Sequence, residues 1–196
     1  MMVKSYTHAV GDSRDIHPNL LRLAQHFTRH AKQGFMPRRD AFQQDELSWL
    51  YGYYYVVDVL EDGRDYRFGY CGHCWQLFYG MDLTGERLSE VESYPHLKGR
   101  RADYDAVIHA RHPAYAVGIL QWPGGSQAHF HRIIIPFANE HGAPSMLLVA
   151  AQSEIAPSQL LENKVHGNPR ILVEEQGWPS AIQSQLSSDN IAMRPI

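Results

Sequence analysis

The spacing of apolar positions changes several times along the chain, and each change marks a structural element. Between residues 18 and 31, Leu20, Leu23, Ala24, Phe27 and Ala31 recur at helical intervals. They give a helix with one apolar stripe that needs a partner surface. Asp15 is placed to cap its start, and Gly34 and Pro37 close it. A polar connection and a short helical turn over 45–50 follow. Residues 53–59, YYYVVDV, are aromatic and β-branched without clean alternation, as in a strand covered on both faces. Asp62-Gly63 is a turn signal. Beyond it Tyr66, Phe68 and Tyr70 alternate with Arg67, Gly69 and Cys71, which predicts a half-exposed second strand of a hairpin.

Gly72 interrupts this extended run. Trp75, Phe78 and Tyr79 then fall at i, i+3 and i+4, three aromatics on one side of a short helix that Gly80 ends. After Asp82-Leu83-Thr84-Gly85, residues 86–91 form another brief helical stretch. A longer helix over 97–111 holds Leu97, Arg101, Tyr104, Ile108 and Arg111 in one sector, with arginine stems packed and heads in water, and Pro113 ends it. The final third predicts three strands, over 115–122, 128–137 and 146–152, joined by turns at 123–126 and 139–144. Ile133-Ile134-Ile135 and Leu147-Leu148-Val149-Ala150-Ala151 are continuous apolar runs that need cover on both sides. The unpartnered stripe of the first helix, or a second subunit, would supply the second cover. Beyond Ile155 the composition turns to Ser, Gln, Asn and Pro. Ile171-Leu172-Val173 is a candidate further strand in what otherwise reads as a partly disordered extension.

The element order is helix, two strands, short helices, one longer helix, three strands. Placing the last strand beside the first gives an α+β fold, a five-stranded antiparallel sheet with the helices on one face. That is the strand order of a PAS domain. The expected organisation is an N-terminal arm and helix over 1–35, a PAS-like domain over 36–155 and a C-terminal extension over 156–196.

Specific residues add a resemblance. Met36-Pro37-Arg38-Arg39-Asp40, Gly72, Gly80, Asp82-Leu83-Thr84-Gly85, Arg111-His112-Pro113-Ala114-Tyr115 and Arg132-Ile133-Ile134-Ile135-Pro136-Phe137 occur in order over roughly 27–155. Together they resemble the PAS-like family common in alphaproteobacteria, once catalogued as a domain of unknown function. The chain departs from that pattern at Gly69, where the family has Arg, and at His73, where it has Thr. The resemblance implies a sensory module without enzymatic activity that acts on bacterial signalling in trans, with a signalling protein such as a histidine kinase as partner. It also implies a small-molecule pocket between the sheet and the helices after the second strand. Phe68, Cys74, Trp75, Phe78, Tyr79, Tyr104 and Ile108 are the candidate lining. Leu20, Leu23, Ala24 and Phe27 are the candidate homodimer surface.

Composition narrows the classes. With 196 residues, 44% hydrophobic and 20% charged, the chain suits one core. A net charge of −3 without a concentrated basic surface argues against an electrostatic grip on nucleic acid. No apolar run is long enough to span a membrane, and the first residues lack a signal-peptide pattern, so a cytoplasmic location is expected.

Two motifs carry alternative chemistry. Cys71-Gly72-His73-Cys74 at a strand-to-helix junction has the form used by thiol-disulfide oxidoreductases, which lower the pKa of the first thiol. A thioredoxin-like fold would need a parallel βαβ unit before it, whereas a hairpin precedes it here, which favours thiols without a catalytic role. His129 and His131 share a strand face at workable metal spacing and would serve a haem or metal sensor, but they lack a third ligand at fixed spacing. No cofactor is required by the sequence, and no phosphate loop, dinucleotide fingerprint or nucleophile elbow occurs.

Overall fold

Six antiparallel strands form one sheet, in the spatial order β2-β1-β5-β4-β3-β6. They are β1 (Tyr54–Leu60), β2 (Asp65–Cys71), β3 (Ala114–Gln121), β4 (Gln127–Ala138), β5 (Pro144–Ser153) and β6 (Arg170–Gln176). The helices are α1 (Pro18–Thr28), α2 (His73–Tyr79), α3 (Leu88–Val91) and α4 (Arg100–Ala110), with a 3-10 segment at Gln44–Leu50. This computed structural model describes residues 17–28, 36–94, 97–153 and 170–176. The arm over 1–14 and most of the C-terminal extension lie outside the described residues.

The last of the five expected strands, β5, lies between β1 and β4. Its central position explains why its apolar run is continuous: it is covered above and below. On one face Leu20, Leu23, Ala24 and Phe27 of α1, with Leu47 and Leu50, pack on Tyr54, Val56, Ile133, Ile135, Phe137 and Leu148. On the other, Tyr55, Val57, Ile134, Leu147 and Val149 lie under Tyr79, Leu83, Leu88, Val91, Tyr104 and Val107 from the helical layer. Alternate residues of one strand therefore serve two cores. With α2, α3 and α4 inserted between β2 and β3, the fold is PAS-like α+β.

Three expectations are revised. The four α1 residues assigned to a dimer surface are spent on the chain's own sheet, Leu20 and Leu23 being fully buried and Phe27 meeting Phe137 edge-on with ring centroids 4.9 Å apart. The long helix starts at Arg100 rather than Leu97, because Gly99 at its N-terminus is left-handed (φ 88°) and cannot continue a helix from 97. Arg101 of that helix does not hold its head free in water: it donates to Asp65 at 3.2 Å and to Glu92 at 3.1 Å. The sheet also gains a sixth strand, since β6, which includes the Ile171-Leu172-Val173 candidate, pairs with β3.

Candidate functional site

Gly72 sets the geometry of the site. Its N–H donates to the Tyr54 carbonyl at 3.0 Å, and the Cys74 N–H donates to the Gly52 carbonyl at 3.0 Å. A Cβ at position 72 would sit 2.5 Å from the Tyr54 oxygen and 2.6 Å from the Gly52 oxygen, so only glycine lets the chain turn into α2 this close to β1. The Trp75 indole N–H then donates to the Tyr53 carbonyl at 3.0 Å. Gly80, left-handed at φ 78°, ends the helix.

With α2 pinned in this way, its aromatic side faces the sheet. Trp75 and Tyr79 stack with centroids 5.6 Å apart, and Tyr55 meets Trp75 edge-on at 4.6 Å. Next to this cluster lies a pocket with a cavity volume of ≈ 70 Å³. Trp75, Phe78 and Tyr79 form its wall, Leu120, Phe130 and Ala151 its floor, and Tyr53, Cys74, Gln152 and Ser153 one side. Two arginines complete it, Arg100 at the start of α4 and Arg132 on β4. Their side chains are only 8% and 4% exposed. Both donate to one carboxylate oxygen, Asp103 Oδ2, Arg100 Nη1 at 2.7 Å and Arg132 Nη2 at 3.0 Å. Charges buried to this degree are retained only when paired and hydrogen-bonded.

The helix-side core next to the pocket holds four buried phenols, Tyr55, Tyr66, Tyr79 and Tyr104. The hydroxyls of Tyr55 and Tyr104 are 2.9 Å apart, and Tyr66 donates to Asp105 at 2.6 Å. Burial pushes the pKa of Tyr55, Tyr79, Tyr104 and Tyr66 upward, so all four stay protonated hydrogen-bonding groups.

Of the residues named as candidate lining, Cys74, Trp75, Phe78 and Tyr79 border this pocket. Phe68 and Tyr104 are fully buried in the helix-side core and do not line it. Ile108 borders a different hollow, with Val59, Asp105, His109 and Pro144. The two arginines were missed. Arg132 had a legible signal, since strand alternation puts it on the same face as Phe130 and Ile134, where a charge needs a reason.

The chemistry of the two motifs is now readable. Burial pushes the Cys71 thiol up to about 11 and raises Cys74 as well, the opposite of what dithiol exchange requires. His131 lies 2.8 Å from the Tyr115 hydroxyl through Nδ1, and the exposed His129 is on the same strand face. Among the described residues no three His, Cys, Asp or Glu side chains are gathered as a metal site. No described helix is long and apolar enough to cross a membrane.

No family model and no curated protein matches this chain. Among solved structures it is similar to VqmA of Vibrio cholerae. The dimer without target DNA aligns at 16% identity over 58% of this chain and 52% of that one, with a TM-score of 0.41. VqmA bound to DPO aligns at 17% identity over 61% of each chain, with a TM-score of 0.41. A light-oxygen-voltage domain studied with a flavin analogue aligns at 13% identity over 62% of this chain and 92% of that one, also with a TM-score of 0.41. The chain thus spans between half and two thirds of the length of the VqmA structures it matches.

Proposed function

We propose that this protein is a sensory PAS-like module that binds a small molecule in the pocket between α2 and the sheet and passes the change to a partner protein. The observation that carries this reading is the pocket itself. An aromatic wall and an apolar floor meet a small set of fixed polar groups, the usual make-up of a small-ligand site. Ligand in this position touches both α2 and the first turn of α4, so occupancy would bias the helical layer against the sheet. The output is non-enzymatic in this reading, and the raised thiol pKa values favour it over thiol-disulfide exchange. Membership of the alphaproteobacterial PAS-like family, action in trans on a signalling protein such as a histidine kinase, and homodimerisation through a surface other than the α1 stripe belong to the same proposal.

Native mass spectrometry of the protein as purified from cells, beside an Ala151→Trp variant whose indole fills the pocket, tests the reading. The expected result is an additional small-molecule mass on the unsubstituted protein only. The same added mass on both proteins, or none on either, counts against it. A visible absorption spectrum of the same sample identifies a bound haem.

A further inference from the structure

Trp75, Tyr55, Tyr104 and Tyr66 form an unbroken line of rings from the pocket wall to α4, and we infer that this line passes an electron from Tyr66 to an oxidised Trp75, so that a one-electron oxidation is held as a radical on Tyr66. The contacts are close throughout. Tyr55 meets Trp75 edge-on with centroids 4.6 Å apart, its hydroxyl is 2.9 Å from that of Tyr104, and the Tyr104 and Tyr66 rings are 5.1 Å apart. Packing alone would be served as well by phenylalanine, which brings no hydroxyl to satisfy and is far harder to oxidise. Electron tunnelling falls off exponentially with distance, so oxidisable rings in contact make a route. Tyr55, Tyr104 and Tyr66 are fully buried, which keeps a radical from solvent, whereas Trp75 is only partly buried and supplies the entrance.

The two ends differ in where a proton can go. The Trp75 indole N–H donates to the Tyr53 carbonyl at 3.0 Å, a neutral oxygen too weakly basic to take the proton. Oxidised Trp75 therefore stays a cation and a strong oxidant. Tyr55 and Tyr104 have each other's neutral hydroxyl as partner. Tyr66 instead donates to the carboxylate of the exposed Asp105 at 2.6 Å. An oxidised phenol sheds its proton, and here an acceptor already sits on the hydrogen bond. An oxidant of the oxyl-radical class, such as the carbonate radical, takes one electron from Trp75 and leaves as its reduced anion. Tyr66 refills Trp75 through Tyr104 and Tyr55, and its proton passes to Asp105 Oδ1. The products are a neutral phenoxyl and a neutral acid, so α4 loses one negative charge where it meets β2.

Pulse radiolysis with the azide radical as oxidant, followed by freeze-quench EPR, tests this in a Tyr51→Phe/Tyr94→Phe background, which removes the exposed tyrosines among the described residues. Indolyl absorption is expected to decay into a phenoxyl signal. Tyr66→Phe should lower the phenoxyl yield at least threefold, Asp105→Asn should shorten its lifetime at least threefold, and Tyr104→Phe should slow its appearance. An unchanged phenoxyl signal in Tyr66→Phe overturns the inference. Should that variant fail to fold by circular dichroism, an unchanged lifetime in Asp105→Asn, a change at an exposed position, overturns it instead.

Discussion

Arg132 Nη2 donates to Asp103 Oδ2 at 3.0 Å and so ties the middle of β4 to the first turn of α4. Both groups are largely out of water, and the same carboxylate oxygen takes the Arg100 guanidinium. It is one of the polar links between the sheet and α4, beside Tyr66–Asp105 and Arg101–Asp65. Removing one member of such a set costs far more than the set contributes, because charge is left behind in a low dielectric. Asp103→Ala is therefore expected to lower unfolding free energy by about 3–5 kcal/mol. Urea denaturation measures it, and a change below about 1 kcal/mol, the size of a surface pair, would contradict the assignment.

Gly72 and Gly85 make a controlled comparison. At Gly72 a Cβ would strike two backbone oxygens that cannot rotate away, whereas at Gly85 (φ 91°) it would meet nothing within 4 Å. Gly72→Ala should cost about 3 kcal/mol, the upper end for overpacking, and it should displace α2. Gly85→Ala should cost only the left-handed backbone strain of about 1 kcal/mol. Equal losses in thermal or urea unfolding would mean that the close approach of α2 to β1 is wrong.

Stability should fall on the alkaline side. Burial raises Cys71 to about 11 and raises Tyr55, Tyr79 and Tyr104 above their ordinary value. As pH climbs past the ordinary thiol value of about 8.5, the unfolded chain releases a proton that the folded chain keeps. The stabilisation is thus full below pH ~8.5 and lost as pH rises through about 11, with the phenols adding the same sign above pH ~10. Urea midpoints at pH 7.5 and 10.5 check this, and a midpoint that rises with pH contradicts it. In the same experiment Cys71 should react with a thiol reagent at neutral pH about a hundred times more slowly than an unhindered cysteine.

The stripe on α1 separates packing from assembly. Leu23 is fully buried against the sheet, so Leu23→Ala should cost about 2–5 kcal/mol and leave the mass measured by light scattering unchanged. A change in mass would return α1 to the role of an interface between copies.

Much of this architecture follows from periodicity. The helical spacing of Leu20, Leu23 and Phe27 and the unbroken run from Leu147 to Ala151 locate a helix and a strand that must each find cover. They do not say that the two cover each other, because an apolar stripe looks the same whether its partner is the same chain or another copy. The aromatic side of α2 was legible because Trp75, Phe78 and Tyr79 are neighbours in sequence. The pairing of Arg100, Asp103 and Arg132 was not, since the separation of 29 positions from Asp103 to Arg132 hides a contact that only the fold creates. Phe68 and Tyr104 share the apolar character of the lining but are fully buried in the helix-side core and do not border the pocket. Hydrophobicity gives the side of the sheet a residue faces and not its depth.

The pocket beside α2 is where we propose that this protein meets a small molecule. Two-dimensional NMR of the backbone amides and indole N–H groups, recorded against a library of small aromatic acids and amides, tests it residue by residue. Binders are expected to shift the Trp75 indole signal together with the Ala151 and Ser153 amides, and Ala151→Trp to abolish these shifts. Shifts confined to the hollow around Ile108 and His109, or no binding by any compound, would contradict it.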